Sequence, residues 1–279
     1  MADKSKSSKN KQSSNLLTRR DLLKIAGATA TAVVVTEVVT SGPLSAEAIQ
    51  GIRREADPHH VSGEHQWHMA IDLSKCIGCN YCVRACQAVN DVPDNDMRWN
   101  VVFPERTEMG VDFYMNRPCL HCQDAPCVRV CPVGATWVRP DGIVAMDYDR
   151  CIGCRYCQIA CPYDARRFNW KTPEGENPYQ PQWGNPEVER RARGVVEKCT
   201  FCVHRIDRAL ELGLTPGVDR KATPACVEVC PVGARVFGDI RDVNSPISVF
   251  LRENTTFRLR EEWGTQPKVH YVNPGRERG

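Results

Sequence analysis

The sequence lacks the features that would assign it to a membrane-spanning or a nucleic-acid-binding class. After the first 48 residues it has no apolar run of spanning length, which would be about 20 residues. Of 37 Lys and Arg residues seven lie in the first 48 positions, and of 34 Asp and Glu residues four do, so the rest carries 30 of each sign. This balance gives no electrostatic basis for binding nucleic acid.

Motifs that carry enzyme chemistry are also missing. The sequence has no G-x-G-x-x-G, no phosphate-binding loop, no nucleophile elbow and no H-E-x-x-H. Each of these patterns places a cofactor, a phosphate or a nucleophile for one specific reaction. We therefore expect a chain that is not itself catalytic.

Cysteine, in contrast, is abundant, with 16 in 279 residues. The cysteines form four groups of four, and none is left over. In chain order the groups are Cys76, Cys79, Cys82 and Cys86; Cys119, Cys122, Cys127 and Cys131; Cys151, Cys154, Cys157 and Cys161; and Cys199, Cys202, Cys226 and Cys230.

Groups one and three have the C-x2-C-x2-C-x3-C spacing of bacterial [4Fe–4S] ferredoxins. Cysteines separated by two residues in a looping backbone can direct three thiolates to three corners of one cluster. The fourth cysteine begins a helical turn, points away and ligates the neighbouring cluster. Pro132, Pro162 and Pro231 follow the last cysteine of three groups, whereas Gln87 takes this place in group one. The sequence therefore predicts four [4Fe–4S] clusters.

Two alternative uses of the cysteines agree less well with this spacing. Small disulfide frameworks do not repeat it. The split fourth group taken alone matches a structural zinc site, in which Cys199, Cys202, Cys226 and Cys230 would hold one ion. The three ferredoxin-type groups beside it favour clusters there as well.

Residues 1–48 are predicted to be a twin-arginine export signal. Polar residues 1–17 precede Arg19-Arg20, an uncharged run follows from Ile25 to Val35, and Ala46-Glu47-Ala48 offers a small-residue cleavage site. An uncleaved signal acting as an anchor and a tail without targeting function are the alternatives. The favoured interpretation is export of a protein that folds and loads its cofactors before it crosses the membrane.

Short elements are expected around the cysteine groups. WHMAIDL, WVRPDGIVAMDY and ARVFGDI contain runs typical of strands, and the P-D-G at 140–142 predicts a hairpin turn. VHRIDRALELG predicts a helix that ends at Gly213. Residues 171–194, rich in Pro, Gly and charge, predict a loop excursion.

The sequence resembles the four-cluster iron–sulfur subunits of respiratory molybdoenzymes, such as DMSO, polysulfide and tetrathionate reductases and formate dehydrogenase. PCLHCQDAPC, CIGCRYCQIACPYDAR, EKCTFCVHR and CVEVCPVGARVFGD carry the resemblance, over roughly residues 67–245. It implies an α+β fold with two interleaved ferredoxin-like modules, a double bacterial-ferredoxin duplication with loop insertions. The expected domains are a signal at 1–48, a linker at 49–66, an outer module at 67–118 and 195–245, an inner module at 119–170, the excursion at 171–194 and a C-terminal extension at 246–279.

The resemblance also implies how the cysteines are shared among the clusters. Set 1 is Cys76, Cys79, Cys82 and Cys230; set 2 is Cys86, Cys199, Cys202 and Cys226; set 3 is Cys119, Cys122, Cys127 and Cys161; set 4 is Cys131, Cys151, Cys154 and Cys157. Some relatives replace the third cysteine of group three and hold a [3Fe–4S] cluster, but Cys157 is present here. The implied order places set 1 nearest the catalytic subunit and set 4 nearest the membrane anchor.

A row of clusters without an active site implies partners at both ends. We expect an electron-transfer subunit that connects an integral membrane quinone-reactive subunit to a catalytic, molybdopterin-containing oxidoreductase subunit. It would lie at the periplasmic face of the cytoplasmic membrane, held there by its partners. The alternatives are the iron–sulfur subunit of a membrane-bound nickel–iron hydrogenase, and that of a quinol-oxidising respiratory complex without molybdenum.

Arginines around group three are candidates for adjusting the cluster potentials. Arg155, Arg166 and Arg167 flank this group and could raise the potentials of its clusters. Alternatively they are solvated, or they pair with carboxylates of another subunit. The sequence leaves this choice open.

Overall fold

The computed structural model describes residues 63–93, 95–172 and 174–275. The chain divides into two units, and the described residues all belong to the second, His59–Gly279. The predicted signal at 1–48 lies outside the described residues, as does most of the predicted linker. Among the residues that the structure describes, none of the helices combines the length and the hydrophobicity of a membrane span.

Short helices and strands alternate irregularly, so the described chain is an α+β protein, as predicted. The helices are α1 (Tyr81–Val89), α2 (Pro126–Arg129), α3 (Tyr156–Ala160), α4 (Val203–Glu211), α5 (Ala225–Glu228) and α6 (Pro246–Glu253). The strands are β1 (Trp67–Asp72), β2 (Val101–Arg106), β3 (Asp112–Arg117), β4 (Thr136–Val138), β5 (Val144–Met146), β6 (Arg167–Phe168), β7 (Val196–Glu197), β8 (Arg235–Asp239), β9 (Thr256–Phe257) and β10 (Val269–Val272). Short 3-10 turns occur at Asn95–Met97, Arg220–Ala222 and Glu261–Trp263.

The largest sheet has four strands in the order β8–β1–β10–β9. Strand β1 pairs antiparallel with β8, where Met69 faces Phe237, and parallel with β10, where Met69 faces Val269. Five of the six β1 residues are buried, as expected for a strand with neighbours on both sides and packing on both faces. The other pairs, β2–β3, β4–β5 and β6–β7, are separate antiparallel hairpins or ladders.

The cysteine-bearing helices pack in pairs. Helix α1, which carries Cys82 and Cys86, contacts α5, which carries Cys226. Helix α2, which carries Cys127, contacts α3, which carries Cys157. Each pair brings together cysteines that are far apart in the sequence.

Several predicted elements are confirmed. WHMAIDL contains β1 and ARVFGDI contains β8. The hairpin around 140–142 is β4–β5. The predicted helix is α4, which is followed by Gly213 in the left-handed conformation at φ +69°.

The predicted C-terminal extension at 246–279, which the structure describes up to residue 275, contains a helix and two strands. It supplies α6, β9 and β10, and β10 lies beside β1 inside the main sheet. Helix α6 begins at a favourable cap, where Ser245 Oγ accepts from Ser248 N at 3.3 Å and Pro246 takes the first helical position. The segment is therefore part of the cysteine-bearing fold.

Candidate metal centres

Cysteines from two distant segments line a first cavity. Cys76, Cys79 and Cys82 come from the loop before α1 and its first turn, and Cys230 comes from the end of the segment that carries α5. The cavity encloses about 340 Å³, part of it open to solvent. The structure thus places together the four residues of set 1.

A second cavity repeats this arrangement. Its wall includes Cys119, Cys122, Cys127 and Cys161, and it encloses about 330 Å³ with its open part. These residues are those of set 3. In both cavities three cysteines belong to one group, and the fourth is a cysteine followed by proline in another group, Cys230-Pro231 or Cys161-Pro162.

The residues of set 2 are also brought together. Burial raises the pKa of the Cys86 thiol well above its usual value, and the nearby thiols of Cys199, Cys202 and Cys226 raise it further. The amide of Asn90 places its Nδ2 3.7 Å from Cys86 Sγ and 3.8 Å from Cys202 Sγ. One buried side chain therefore reaches sulfur atoms from two groups.

Set 4 lies mostly in one loop. Cys151 and Cys154 are half-buried and lie just before α3, which contains the buried Cys157. Burial raises the pKa of the Cys157 thiol, Arg166 opposes this, and Cys127 and Cys151 raise it further. Since Cys127 belongs to set 3, the thiol of Cys157 lies on the side of set 4 next to set 3.

The cysteines are available as ligands. None of the sixteen, which all lie in the described residues, forms a disulfide. Within residues 63–93, 95–172 and 174–275, no three His, Cys, Asp or Glu side chains are close enough to hold a single metal ion. Burial raises the pKa of Cys122 to about 12 and that of Cys226 to about 11, so iron binding would have to displace their protons.

Backbone N–H groups also point at the sulfur atoms. Ala135 N donates to Cys131 Sγ at 3.2 Å, and Ala234 N donates to Cys230 Sγ at 3.3 Å. The two bonds are equivalent, because each runs from the alanine four residues after the accepting cysteine in C-P-V-G-A. Hydrogen bonds to sulfur are one means by which proteins adjust cluster potentials.

Two arginines form part of the cavity walls. Arg235 lines the set 1 cavity and Arg166 lines the set 3 cavity. Each is almost fully buried, and in each the Nε atom has no hydrogen-bond partner among the described residues. An acceptor in the adjoining cavity would satisfy them, so cavities lined by thiols and N–H donors fit a sulfide-bearing cluster.

The nearby cysteines favour the charged form of these arginines. Burial alone lowers the pKa of Arg235, but Cys226 and Cys82 outweigh burial and raise it. Burial likewise acts against Arg166, and Cys127, Cys157 and Cys119 raise its pKa. Both side chains are therefore cations.

The three arginines predicted around group three have different surroundings. Arg166 is buried and its Nη2 donates to Cys127 Sγ at 3.1 Å. Arg155 lies over the rings of Phe168 and Trp170, at 5.2 and 4.7 Å from their centroids. Arg167 pairs with Asp164 Oδ1 at 2.6 Å.

Two buried residues were not predicted from the sequence. Arg235 could have been found, because C-P-x-x-A-R occurs at 161–166 and again at 230–235. Lys198, the residue before Cys199, has no such repeat and no exposed surface. Burial lowers the pKa of Lys198, and the thiol of Cys119 acts in the opposite direction.

Comparison with known proteins agrees with this geometry. Two family descriptions, both "4Fe-4S dicluster domain", match the chain, one over residues 111–177 and the other over 75–135 and 150–234. These ranges contain all four cysteine groups.

Relatives in respiratory complexes cover most of the chain. A tetrathionate reductase subunit of Salmonella typhimurium is 40% identical over 77% of this chain and 75% of its own length. The menaquinone reductase iron-sulfur cluster-binding subunit of Nitratidesulfovibrio vulgaris is 40% identical over 75% of this chain and 89% of its own length. The Hdr-like menaquinol oxidoreductase iron-sulfur subunit 1 of Archaeoglobus fulgidus is 39% identical over 94% of this chain and 100% of its own length.

The identities and the shared length, together with the [4Fe–4S] domain matches, establish the relationship. This protein belongs to the family of [4Fe–4S] electron-transfer subunits of respiratory molybdoenzyme complexes, the family of the tetrathionate reductase iron–sulfur subunits.

Proposed function

We propose that the chain holds four [4Fe–4S] clusters, in sets 1 to 4, and conducts electrons between a membrane quinone-reactive subunit and a catalytic molybdopterin subunit. The observation that carries the proposal is the pair of cavities, each lined by three cysteines of one group and a fourth from another. This crossing of ligands is how two-cluster ferredoxins tie neighbouring clusters together. The chain itself is proposed to be non-catalytic.

An internal repeat supports two interleaved modules, one of groups one and four and one of groups two and three. In C-I-G-C-x-Y-C, Gly78 and Gly153 have φ +72° and +68°, and Asn80 and Arg155 have φ 61° and 65°. Both loops enter a short helix that packs on a second cysteine-bearing helix. Equivalent backbone at two positions of the repeated motif is expected of duplicated segments.

Clusters bound in the four sets would supply reversible one-electron chemistry. The residues of this chain hold and shield them: the thiolates fix the positions, and the N–H groups of Ala135 and Ala234 donate to sulfur. Buried side chains such as Leu120 and Val144 line the set 3 cavity and exclude water. Excluding water strengthens the influence of nearby charges on reduction potential.

Exposed apolar side chains support contacts with partners at sets 1 and 4. Ile77 in the set 1 loop is 54% exposed, and Ile152 and Ile159 beside set 4 are 64% and 83% exposed. A partner docked beside set 1 or set 4 would cover these side chains and remove their apolar surface from water. We propose that the set 1 end faces the catalytic subunit and the set 4 end faces the membrane subunit.

Export by the twin-arginine route is part of the proposal, with Arg19-Arg20 as its determinant. Replacing both arginines with lysine should retain the protein inside the cell with its clusters loaded. Cell fractionation with immunodetection measures this. Unchanged export of the lysine variant would remove the periplasmic assignment and leave the cluster assignment intact.

Single cysteine replacements test the ligand sets. Cys230→Ser should remove the cluster of set 1, although Cys230 lies 148 residues or more from the other members of that set, and Cys86→Ser should remove the cluster of set 2. Iron analysis and EPR of the intact complex, purified without oxygen, measure the loss. The proposal is wrong if Cys86→Ser removes the signal lost in Cys230→Ser.

Elemental analysis of the intact complex tests the proposed catalytic partner. The Archaeoglobus relative, named as a menaquinol oxidoreductase subunit and matched over 94% of this chain, supports the quinone-reactive partner. Molybdenum or tungsten beside the iron would support the molybdopterin partner, and iron without either would overturn that part of the proposal.

A further inference from the structure

Four buried basic side chains among the described residues form no ion pair with Asp or Glu. One of them, Lys268, is 3% exposed and donates its Nζ to the carbonyl of His121 at 3.3 Å, in the loop of group two. The other three each lie close to two cysteine sets. Arg166, Lys198 and Arg235 are 1%, 0% and 4% exposed, and none forms an ion pair with Asp or Glu within the described residues. Other buried arginines do: Arg139 pairs with Asp141 and Asp207, and Arg191 pairs with Glu197. An unpaired buried charge is costly, so the three cations must be balanced by something else.

Arg235 lies between sets 1 and 2. It lines the same cavity as Cys82 of set 1. Burial raises the pKa of the Cys226 thiol of set 2, and Arg235 acts in the opposite direction. The guanidinium is held by neutral groups, because its Nη2 donates to Asn116 Oδ1 and, at 2.8 Å, to Asn100 Oδ1. Asn116 in turn points its Nδ2 at Cys82 Sγ, 3.6 Å away.

Arg166 lies between sets 3 and 4. Its Nη2 donates to Cys127 Sγ of set 3 at 3.1 Å and to Thr136 Oγ1 at 2.8 Å. Burial raises the pKa of the Cys157 thiol of set 4, and Arg166 acts in the opposite direction. Like Arg235, it stands five residues after a cysteine in C-P-x-x-A-R.

Lys198 lies between sets 2 and 3, where the two proposed modules meet. Its Nζ donates to the carbonyl of Cys199, a set 2 residue, at 2.8 Å. It also donates to the carbonyl of Val144, which lines the set 3 cavity. Burial lowers the pKa of Lys198, and the thiols of Cys119 and Cys127 of set 3 act in the opposite direction.

We propose that Arg235, Lys198 and Arg166 are junction cations, one at each of the three junctions between consecutive sets, and that each raises the reduction potential of the two clusters beside it. A cluster gains negative charge when it is reduced, so a fixed positive charge in a buried site favours the reduced state. The proposal rests on the proposed function, since it takes sets 1 to 4 as cluster sites.

The test is an EPR-monitored redox titration of the intact complex with Arg235→Gln, Lys198→Met or Arg166→Gln. Each variant should lower the midpoint potentials of two clusters. The expected shift corresponds to a tenfold or larger change in the ratio of reduced to oxidised cluster, which is about 59 mV for one electron. Arg235→Gln and Lys198→Met should share one affected cluster, and so should Lys198→Met and Arg166→Gln. Arg235→Gln and Arg166→Gln should share none, so the pattern can be read without assigning signals beforehand.

Matched variants separate charge from structure. Arg167→Gln removes the neighbouring arginine, whose charge is already paired with Asp164, and should leave all midpoints unchanged. Lys198→Arg and Arg166→Lys keep the charge and should restore the potentials. If Lys198→Met does not assemble, Lys198→Gln keeps a polar side chain there and gives the same test.

Unchanged midpoints, a common shift of every cluster, or an equal shift in Arg167→Gln would overturn the proposal. Loss of a cluster in every neutral variant would also overturn it, because the charge would then serve assembly. If the proposed function itself is wrong, the unaltered complex will show fewer than four cluster signals or too little iron. This result differs from every outcome that concerns the variants.

Discussion

Single residues determine the backbone of the cysteine loops. Gly78 and Gly153 have positive φ values of +72° and +68°, a region that costs other residues about 1–2 kcal/mol. Gly153 has a second constraint, because an added Cβ would lie 2.1 Å from the carbonyl oxygen of Gly194. Gly134 has a similar φ of +63°, yet no described atom lies within 4 Å of its Cβ position.

We therefore expect Gly153→Ala to be far more damaging than Gly134→Ala. Gly134→Ala adds only backbone strain, about 1–2 kcal/mol, whereas Gly153→Ala also forces backbone apart beside set 4. Iron content and the thermal loss of visible absorbance of the purified complex measure the difference. Equal effects would show that the contact with Gly194 is unimportant.

The cysteine groups could be predicted because the information is local. Their spacing alone indicates three ligands in a loop and a fourth beyond it. The surroundings of Lys198 and Arg235 depend on segments far along the chain: Val144 lies 54 residues from Lys198, and Asn116 lies 119 residues from Arg235. A single sequence does not reveal such contacts, so Lys198 would be read as an ordinary surface cation. For Arg235 the repeat of C-P-x-x-A-R is a local signal, although it does not reveal the contact with Asn116.

At the scale of elements, side-chain hydrogen bonds hold the segment 171–194 against two helices, although its described part contains no helix or strand. Glu187 Oε1 accepts from Arg205 Nη2 at 2.6 Å, and Glu187 Oε2 accepts from Arg208 at 3.0 Å, both on α4. Asn177 Nδ2 donates to the carbonyl of Gln87 on α1 at 2.9 Å. The segment therefore connects two cysteine-bearing regions.

Glu187→Gln should destabilise the protein by about 1–2 kcal/mol at neutral pH, the range for charged hydrogen bonds reduced for partial exposure. Burial alone raises the pKa of Glu187, but His204 and Arg205 outweigh burial and lower it to about 2. Because the carboxyl pKa is lower in the folded protein than the unfolded value of 4.5, the Glu187 carboxylate stabilises the fold at pH values above 4.5. This contribution to the free energy of unfolding is lost as the pH falls toward 2. The difference in free energy of unfolding between Glu187→Gln and the unaltered protein should therefore narrow below about pH 4.5.

Urea titrations of the purified complex at pH 7 and pH 4, followed by the loss of visible absorbance, measure this difference. Glu211→Gln is the matched control, because Glu211 is exposed at the end of the same helix α4. A pH-independent difference, or an equal effect of Glu211→Gln, would contradict the role given to Glu187.

Elements with local signals were predictable, and those that depend on distant partners were not. The P-D-G turn specifies β4–β5, and the helical pattern ending at Gly213 specifies α4. Strand β10 has only four residues, Val269–Val272, and gains its structure from β1, about 200 residues earlier. Its pattern alone does not distinguish it from a loop.

At the scale of the whole molecule, the C-terminal segment joins the main sheet to the set 3 site. Strand β10 pairs with β1, and Tyr271 Oη donates to the carbonyl of Asn116 at 3.1 Å. Just before it, Lys268 N donates to the carbonyl of Leu120, between Cys119 and Cys122. Thr265 Oγ1 lies 2.5 Å from Tyr163 Oη, two residues after Cys161.

A chain ending at Gly264 should therefore fail to accumulate as a loaded subunit. Removing the buried Val269, Tyr271 and Val272 costs on the order of 5 kcal/mol of apolar burial, comparable with the whole stability of a typical domain. A chain ending at Gly275 keeps β10 and is the control. Immunodetection and iron content of the isolated complex measure both; a loaded complex from the shorter chain would contradict this role of β10.

The position of β1 also dictates an order of events during synthesis. Its neighbours β8 and β10 begin at Arg235 and Val269, and Cys230 of set 1 lies five residues before β8. Strand β1 is therefore synthesised long before any strand that pairs with it. Until then its edges are unpaired, and an apolar strand with unpaired edges is prone to aggregate. The first cysteine loop to be translated is thus among the last sites that can be completed, after nearly the whole chain has emerged.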